Sequence, residues 1–211
     1  MVWSVKPTTS AAAMIISGVD TIVTMMGAER LDGLSNNGVR RRDVVDQLAG
    51  SGLELATAVG RALGDDATVD GEVPDDTVHR YRTSVTAFAA VAERLDELDE
   101  TTTIEHHGHS LRPAEVVPQR IAEVILANDT ISSIWTLDEA DPDSVLDALD
   151  AMVRRLQARD DVPAQTITTL EGDEWLVHGG GDKVYGTREF VAAWLAHGDS
   201  TGELQRVPQW T

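Results

Sequence analysis

Cysteine is absent from this chain of 211 residues. That excludes disulfides, thiolate nucleophiles and Cys-ligated zinc, and it fits a reducing compartment. Aromatic side chains are scarce, at 4%, and Ala, Val and Leu dominate. Such a mix favours helices packed closely through small and aliphatic residues. Basic residues are few: 17 Lys and Arg stand against 36 Asp and Glu, a formal net charge of −19. This balance works against binding the phosphate backbone of nucleic acid and against an anionic membrane surface. Neither partner is expected. A solvated acidic exterior that keeps the protein soluble accounts for the charge.

Long apolar runs are also missing. The nearest to one is residues 11–26, but Asp20 interrupts it and only Lys6 precedes it as a basic residue. It is too short and polar to span a bilayer and lacks the cleavage pattern of an export signal. The expected location is the cytoplasm.

What is present is enough apolar material, 42%, to bury a core, arranged mostly at helical spacing. Ser10 and the stripe Met14, Ile15, Val19, Ile22, Val23 predict a first helix over 10–26. Val44, Val45, Leu48, Leu55 and Val59 predict a second over 41–63. Residues 64–76 read as an acidic loop. A third helix is expected over 76–98, and a fourth from Pro113, a residue favoured in a helix's first turn. Pro118 close behind it is a candidate kink. Between them, 99–113 is polar and β-prone and carries His106, His107 and His109. A fifth helix is expected over 143–157, with acids at the positive end of its dipole.

Beyond Pro163 the pattern changes. Strands are expected over 166–170 and 174–178, then a short segment 183–185 and a helix over 187–196 ended by Gly198. The boundary is placed near Asp160, with a helical bundle over 1–160 and a small α+β domain over 161–211.

Three landmarks carry a family resemblance. They are residues 38–48 (GVRRRDVVDQL), residues 108–115 (GHSLRPAE) leading into Arg120 and Glu123, and a tail. The tail runs from Trp175 through Tyr185, Gly186, Thr187 and Trp194 to Pro208, Gln209 and Trp210. In that order and spacing the chain resembles the mycothiol-dependent maleylpyruvate isomerase family. The resemblance implies a DinB-like, up-down four-helix bundle with the small α+β domain behind it, and a ligand cleft between the two. It further implies one divalent metal, usually zinc, held by a His on the second helix and a Glu/His pair four residues apart on a later one. Carried over by position, the first His falls on Gln47, the Glu on Glu123 and the second His on Ala127. The family's Trp falls on Val39, and an Arg of its C-terminal turn on His197.

Ala127 has no donor atom and Gln47 offers only a neutral amide oxygen, so zinc's preference for His, Cys and carboxylate is not met. The resemblance therefore implies a diverged, metal-free member that binds or regulates through a vestigial cleft of Asp43, Gln47, Glu123, Ala127 and His197. No catalytic residue is assigned, and the balance leans against an enzyme. Gln47 is expected to donate a hydrogen bond to Glu123. Two alternatives stay open. One is a mycothiol-dependent isomerase or S-transferase with a rebuilt site for zinc or another divalent metal. The other is a structural homodimer.

Other clusters have plainer readings. Asp43 with Glu123 would suit a hard cation, but an acid in a helix's first turn needs no such role. In a strand His107 and His109 would share a face and His106 would oppose them, so a solvated strand end is expected rather than a metal cluster. Gly179, Gly180 and Gly181 match no phosphate-binding pattern and predict a tight turn. Arg40, Arg41 and Arg42 predict a solvated basic turn.

Overall fold

The computed structural model describes residues 30–35, 38–65, 75–131 and 137–198. The expected helix over 10–26, most of the acidic loop and the tail residues Pro208, Gln209 and Trp210 lie outside the described residues. The chain is mainly α-helical with small sheets, as expected. It divides into two compact units, 1–135 and 136–211. The expected boundary near Asp160 therefore falls inside the second unit, because the fifth predicted helix packs with the small domain's own helix and with one of its strands.

In the first unit, α1 (Arg41–Ala62) packs along α2 (Thr77–Ala92) and against α3 (Pro113–Ile131). Val45, Leu48, Leu55 and Val59 of α1 meet the same core as Tyr81, Phe88, Ile121 and Ile125, all buried. Asp76 caps α2 by accepting from the backbone N–H of His79 at 2.8 Å, which satisfies one of the orphan donors of the first turn. The helix stops at Ala92, short of the expected 98, and a 3-10 turn over Leu95–Glu97 follows. There Arg94 turns aside to bind Asp65 at 2.5 Å and Glu97 at 3.1 Å.

α3 begins at Pro113 as expected and runs unbroken through Pro118. Its carbonyl end is held by the basic turn. Arg41 Nε donates to the Ile131 carbonyl at 2.9 Å, a favourable place for a cation on a helix C-terminus. Arg42 binds Asp32 at 2.7 Å and Thr77 Oγ1 at 3.1 Å. Two of the three arginines are thus structural rather than merely solvated.

Between α2 and α3 lies a hairpin, β1 (Ile104–His106) with β2 (His109–Leu111), seated against α1. His106 pairs with His109 across a two-residue turn, His107-Gly108. Both turn residues have positive φ, 48° and 76°, the backbone that matches the twist of a tight hairpin.

The second unit holds α4 (Pro142–Gln157), β3 (Gln165–Thr169), β4 (Glu174–Val177), β5 (Asp182–Gly186) and α5 (Arg188–His197). The sheet order is β4-β3-β5, with β3 antiparallel to β4 and parallel to β5. Asp141 caps α4, accepting from the Ser144 backbone at 3.1 Å, and Thr187 caps α5, accepting from Phe190 at 3.2 Å. Arg188 grips Asp173 through two hydrogen bonds of 2.6 and 2.9 Å, tying the start of α5 to the β3–β4 turn. The glycine cluster is the turn between β4 and β5, as expected.

Candidate functional site

Glu123 on α3 is the centre of the first unit's polar interior. Its side chain is only 9% exposed, yet both carboxylate oxygens are fully engaged. Oε1 accepts from His106 Nε2 at 2.9 Å and from Gln119 Nε2 at 3.0 Å. Oε2 accepts from Ser51 Oγ at 2.7 Å and from Arg120 Nη1 at 3.0 Å. Helix periodicity explains two of these donors: Gln119 and Arg120 precede Glu123 by four and three residues, so both share a face with it. Ser51 arrives from α1 and His106 from β1.

Burial alone would push the Glu123 carboxyl upward. The hydrogen bond from His106, the charge of Arg120, attraction to His106 and the Gln119 hydrogen bond outweigh it and hold the group down to about 2. Glu123 is therefore an ionised carboxylate inside the protein, compensated by donors of its own unit.

Arg120 has no exposed surface at all. Nη1 also donates to the Leu48 carbonyl at 2.9 Å, while Nε and Nη2 meet no partner among the described residues. The guanidinium fits because α1 carries a glycine opposite it. A Cβ on Gly52 would stand 2.6 Å from Arg120 Nη2, closer than side chains approach one another.

The two adjacent histidines are brought to one place by the hairpin turn. Strict strand alternation would send them to opposite faces, and that expectation fails here because His107 is not extended. Its left-handed backbone swings the ring back, so the two imidazole centroids lie 4.1 Å apart at an interplanar angle of 48°. Ser51 Oγ stands 3.2 Å from Nε2 of each ring. His107 Nδ1 faces Glu54 Oε2 at 3.5 Å, Glu54 lying three residues beyond Ser51 on α1.

Ser51, His106 and Glu123 have the residue types of a nucleophile, base and orienting acid, but not the wiring. A relay needs the acid on one imidazole nitrogen and the serine on the other. Here both meet Nε2, and the Ser51 hydroxyl is itself directed at the carboxylate. The arrangement stores a charge rather than activating an oxygen.

The residues singled out from the sequence are distributed differently. Asp43 and Gln47 are exposed on α1. The amide that reaches Glu123 is Gln119, not Gln47, because Gln47 lies one turn too early and points to solvent. Ala127 is buried on α3, one turn after Glu123. His197 is the exposed last residue of α5 in the second unit. Of the residues missed, Gln119 and Arg120 had a readable signal in their spacing from Glu123. Ser51 and His106, 72 and 17 residues away in sequence, had none.

The sequence matches no protein-family profile and no curated protein. Among solved structures the fold is that of mycothiol-dependent maleylpyruvate isomerase. The likeness to one crystal structure of that enzyme has a TM-score of 0.72, with 14% sequence identity over 99% of this chain and 98% of the other. A histidine-to-alanine variant of the enzyme gives a TM-score of 0.73 at the same identity and coverage. Among the described residues no helix is long and apolar enough to cross a membrane.

Proposed function

We propose that this chain is a diverged member of the mycothiol-dependent maleylpyruvate isomerase family. In this reading it binds a small molecule or regulates, and carries no metal at the position where the family resemblance puts one. The observation that carries it is the saturation of Glu123. At that position a metal ligand needs free lone pairs, and His106, Gln119, Ser51 and Arg120 would all have to be displaced. A guanidinium held 3.0 Å from the carboxylate further opposes a dication, since like charges in a poorly solvated interior repel strongly. Ala127 adds no donor, and Gln47 turns away. The residues present do not fit zinc there, so no reaction step is routed through it.

What replaces the metal is a set of internal cationic and neutral donors, with Arg120 supplying the charge a dication would have brought. The chemistry that a metal supplies by lowering the pKa of a bound thiol or water has no agent at Glu123 in this reading. The ligand this reading assigns is a small thiol of the family's kind.

The test uses purified, untagged protein. Calorimetric titration with mycothiol is expected to show binding, while maleylpyruvate with mycothiol and added zinc is expected to show no isomerisation. Zinc-dependent turnover that Glu123→Gln abolishes, and that substitutions outside the Glu123 network leave intact, would overturn the reading.

A further inference from the structure

We propose that Glu54, His106 and His107 form a binding site for a borderline divalent cation of the zinc, nickel or copper kind, on the solvent side of Glu123. This goes beyond the reading above and does not depend on it. One ligand atom from each of the three residues lies within 4.8 Å of the other two. Tetrahedral bonds of the usual length set donors roughly 3.3 Å apart, so closing on an ion requires a contraction of up to about 1.5 Å. The Glu54 and His107 side chains, 64% and 42% exposed, have room to make it. His106, 2% exposed, is the fixed member.

Two features mark a prepared site rather than chance neighbours. The first is backbone. His107 holds φ at 48°, a left-handed conformation uncommon outside glycine though tolerated by His better than by most residues. With it, the two consecutive imidazoles stand side by side, their centroids 4.1 Å apart. The second is orientation. His106 gives its Nε2 proton to the buried Glu123 carboxylate at 2.9 Å, the carboxylate–histidine arrangement that fixes tautomer and ring plane in metal-ligating histidines. With Nε2 protonated, Nδ1 is the nitrogen that keeps a lone pair.

Two imidazoles and one carboxylate are the donor set that suits zinc, copper and nickel, and three protein ligands leave a position open for water or a ligand. The exposure of Glu54 and His107 puts that position toward solvent. The chain's net charge of −19 attracts a cation to its surface.

Untagged full-length protein is titrated with Zn²⁺ against a chromophoric chelator at pH 7, with Co²⁺ absorption reporting the geometry. The wild type is expected to bind one equivalent. Glu54→Gln and His107→Asn are each expected to weaken binding at least ~100-fold, beyond the 10–100-fold loss typical of an outer partner. Asn is chosen because it accepts the left-handed backbone, so the turn survives. Glu123→Gln, which removes an outer partner, is expected to weaken binding less than either. No binding by the wild type, or binding unmoved in both ligand variants, overturns the proposal and leaves the functional reading standing. Binding lost only in Glu123→Gln overturns both.

Discussion

Replacing Glu123 by Gln keeps the shape of the side chain and removes its charge, which isolates what the buried carboxylate contributes. Holding that carboxyl at about 2 instead of 4.5 corresponds to about 3 kcal/mol of stability at neutral pH. The substitution also strands the Arg120 guanidinium, which has no exposed surface, with its charge uncompensated. Breaking a buried pair from one side typically costs about 3–5 kcal/mol. The sign with pH follows from a depressed folded-state value. The contribution is complete above the unfolded-state value of the carboxyl, and it is lost as pH falls from there toward about 2. Urea unfolding followed by circular dichroism is expected to show wild type and Glu123→Gln separated by about 3 kcal/mol at pH 7, the gap narrowing as pH falls below 4.5. A double variant, Arg120→Met with Glu123→Leu, is expected to lose less than the single one, since neither charge is then left alone. A gap under about 1 kcal/mol at pH 7, or one that does not change with pH, would refute the account of the interior.

Gly52→Ala is expected to lower stability by about 1–3 kcal/mol in urea, although alanine is by itself the better helix former by about 1 kcal/mol. The reason is that the new Cβ meets Arg120 Nη2 at 2.6 Å, and a stabilised variant would show that the guanidinium moves freely. On α4, Asp147 is held up to about 6 by burial first, then by Asp150, Asp143 and Asp141. A carboxyl raised in the folded state opposes folding once ionised, so its cost grows as pH rises from its ordinary value through about 6. Asp147→Asn is therefore expected to raise stability at pH 7 and not at pH 4, by about 1 kcal/mol once solvent screening of the half-exposed group is allowed for, read as a higher melting temperature at pH 7. Equal effects at both pH values would remove electrostatics as the cause. Asp173→Ala releases the two-point grip of Arg188 and the Thr169 hydroxyl bond at 2.6 Å. It is expected to speed amide exchange in β3 and β4 and to cost about 1–3 kcal/mol, with unchanged exchange counting against that anchor.

The helices were legible because their apolar spacing is a local property. The expected 41–63 became Arg41–Ala62, and the start at Pro113 and the span ending at Gln157 agree to within a residue. The strands after Pro163 were legible for the same reason, framed by glycine and aspartate turns. Where the reading slipped, a tertiary contact overrode local pattern. The third helix ends early where Arg94 reaches Asp65 and Glu97. The basic turn is tied down by Ile131, Asp32 and Thr77. For the site, Glu123 was found but its partners were not. Gln47 and Ser51 stand one turn apart on the same helix, and only the packing of α1 on α3 selects between them.

From its residues alone the chain determined its helical class, its small sheet and its net negative charge. Each of these follows from composition or from neighbours within a few residues. Tertiary structure alone decided that a buried arginine would neutralise Glu123 while His106, Gln119 and Ser51 donate to it, that Gly52 would make room for the guanidinium, and that a left-handed His107 would turn two consecutive rings toward Glu54. Those outcomes rest on distances between segments far apart along the chain, which no local periodicity encodes.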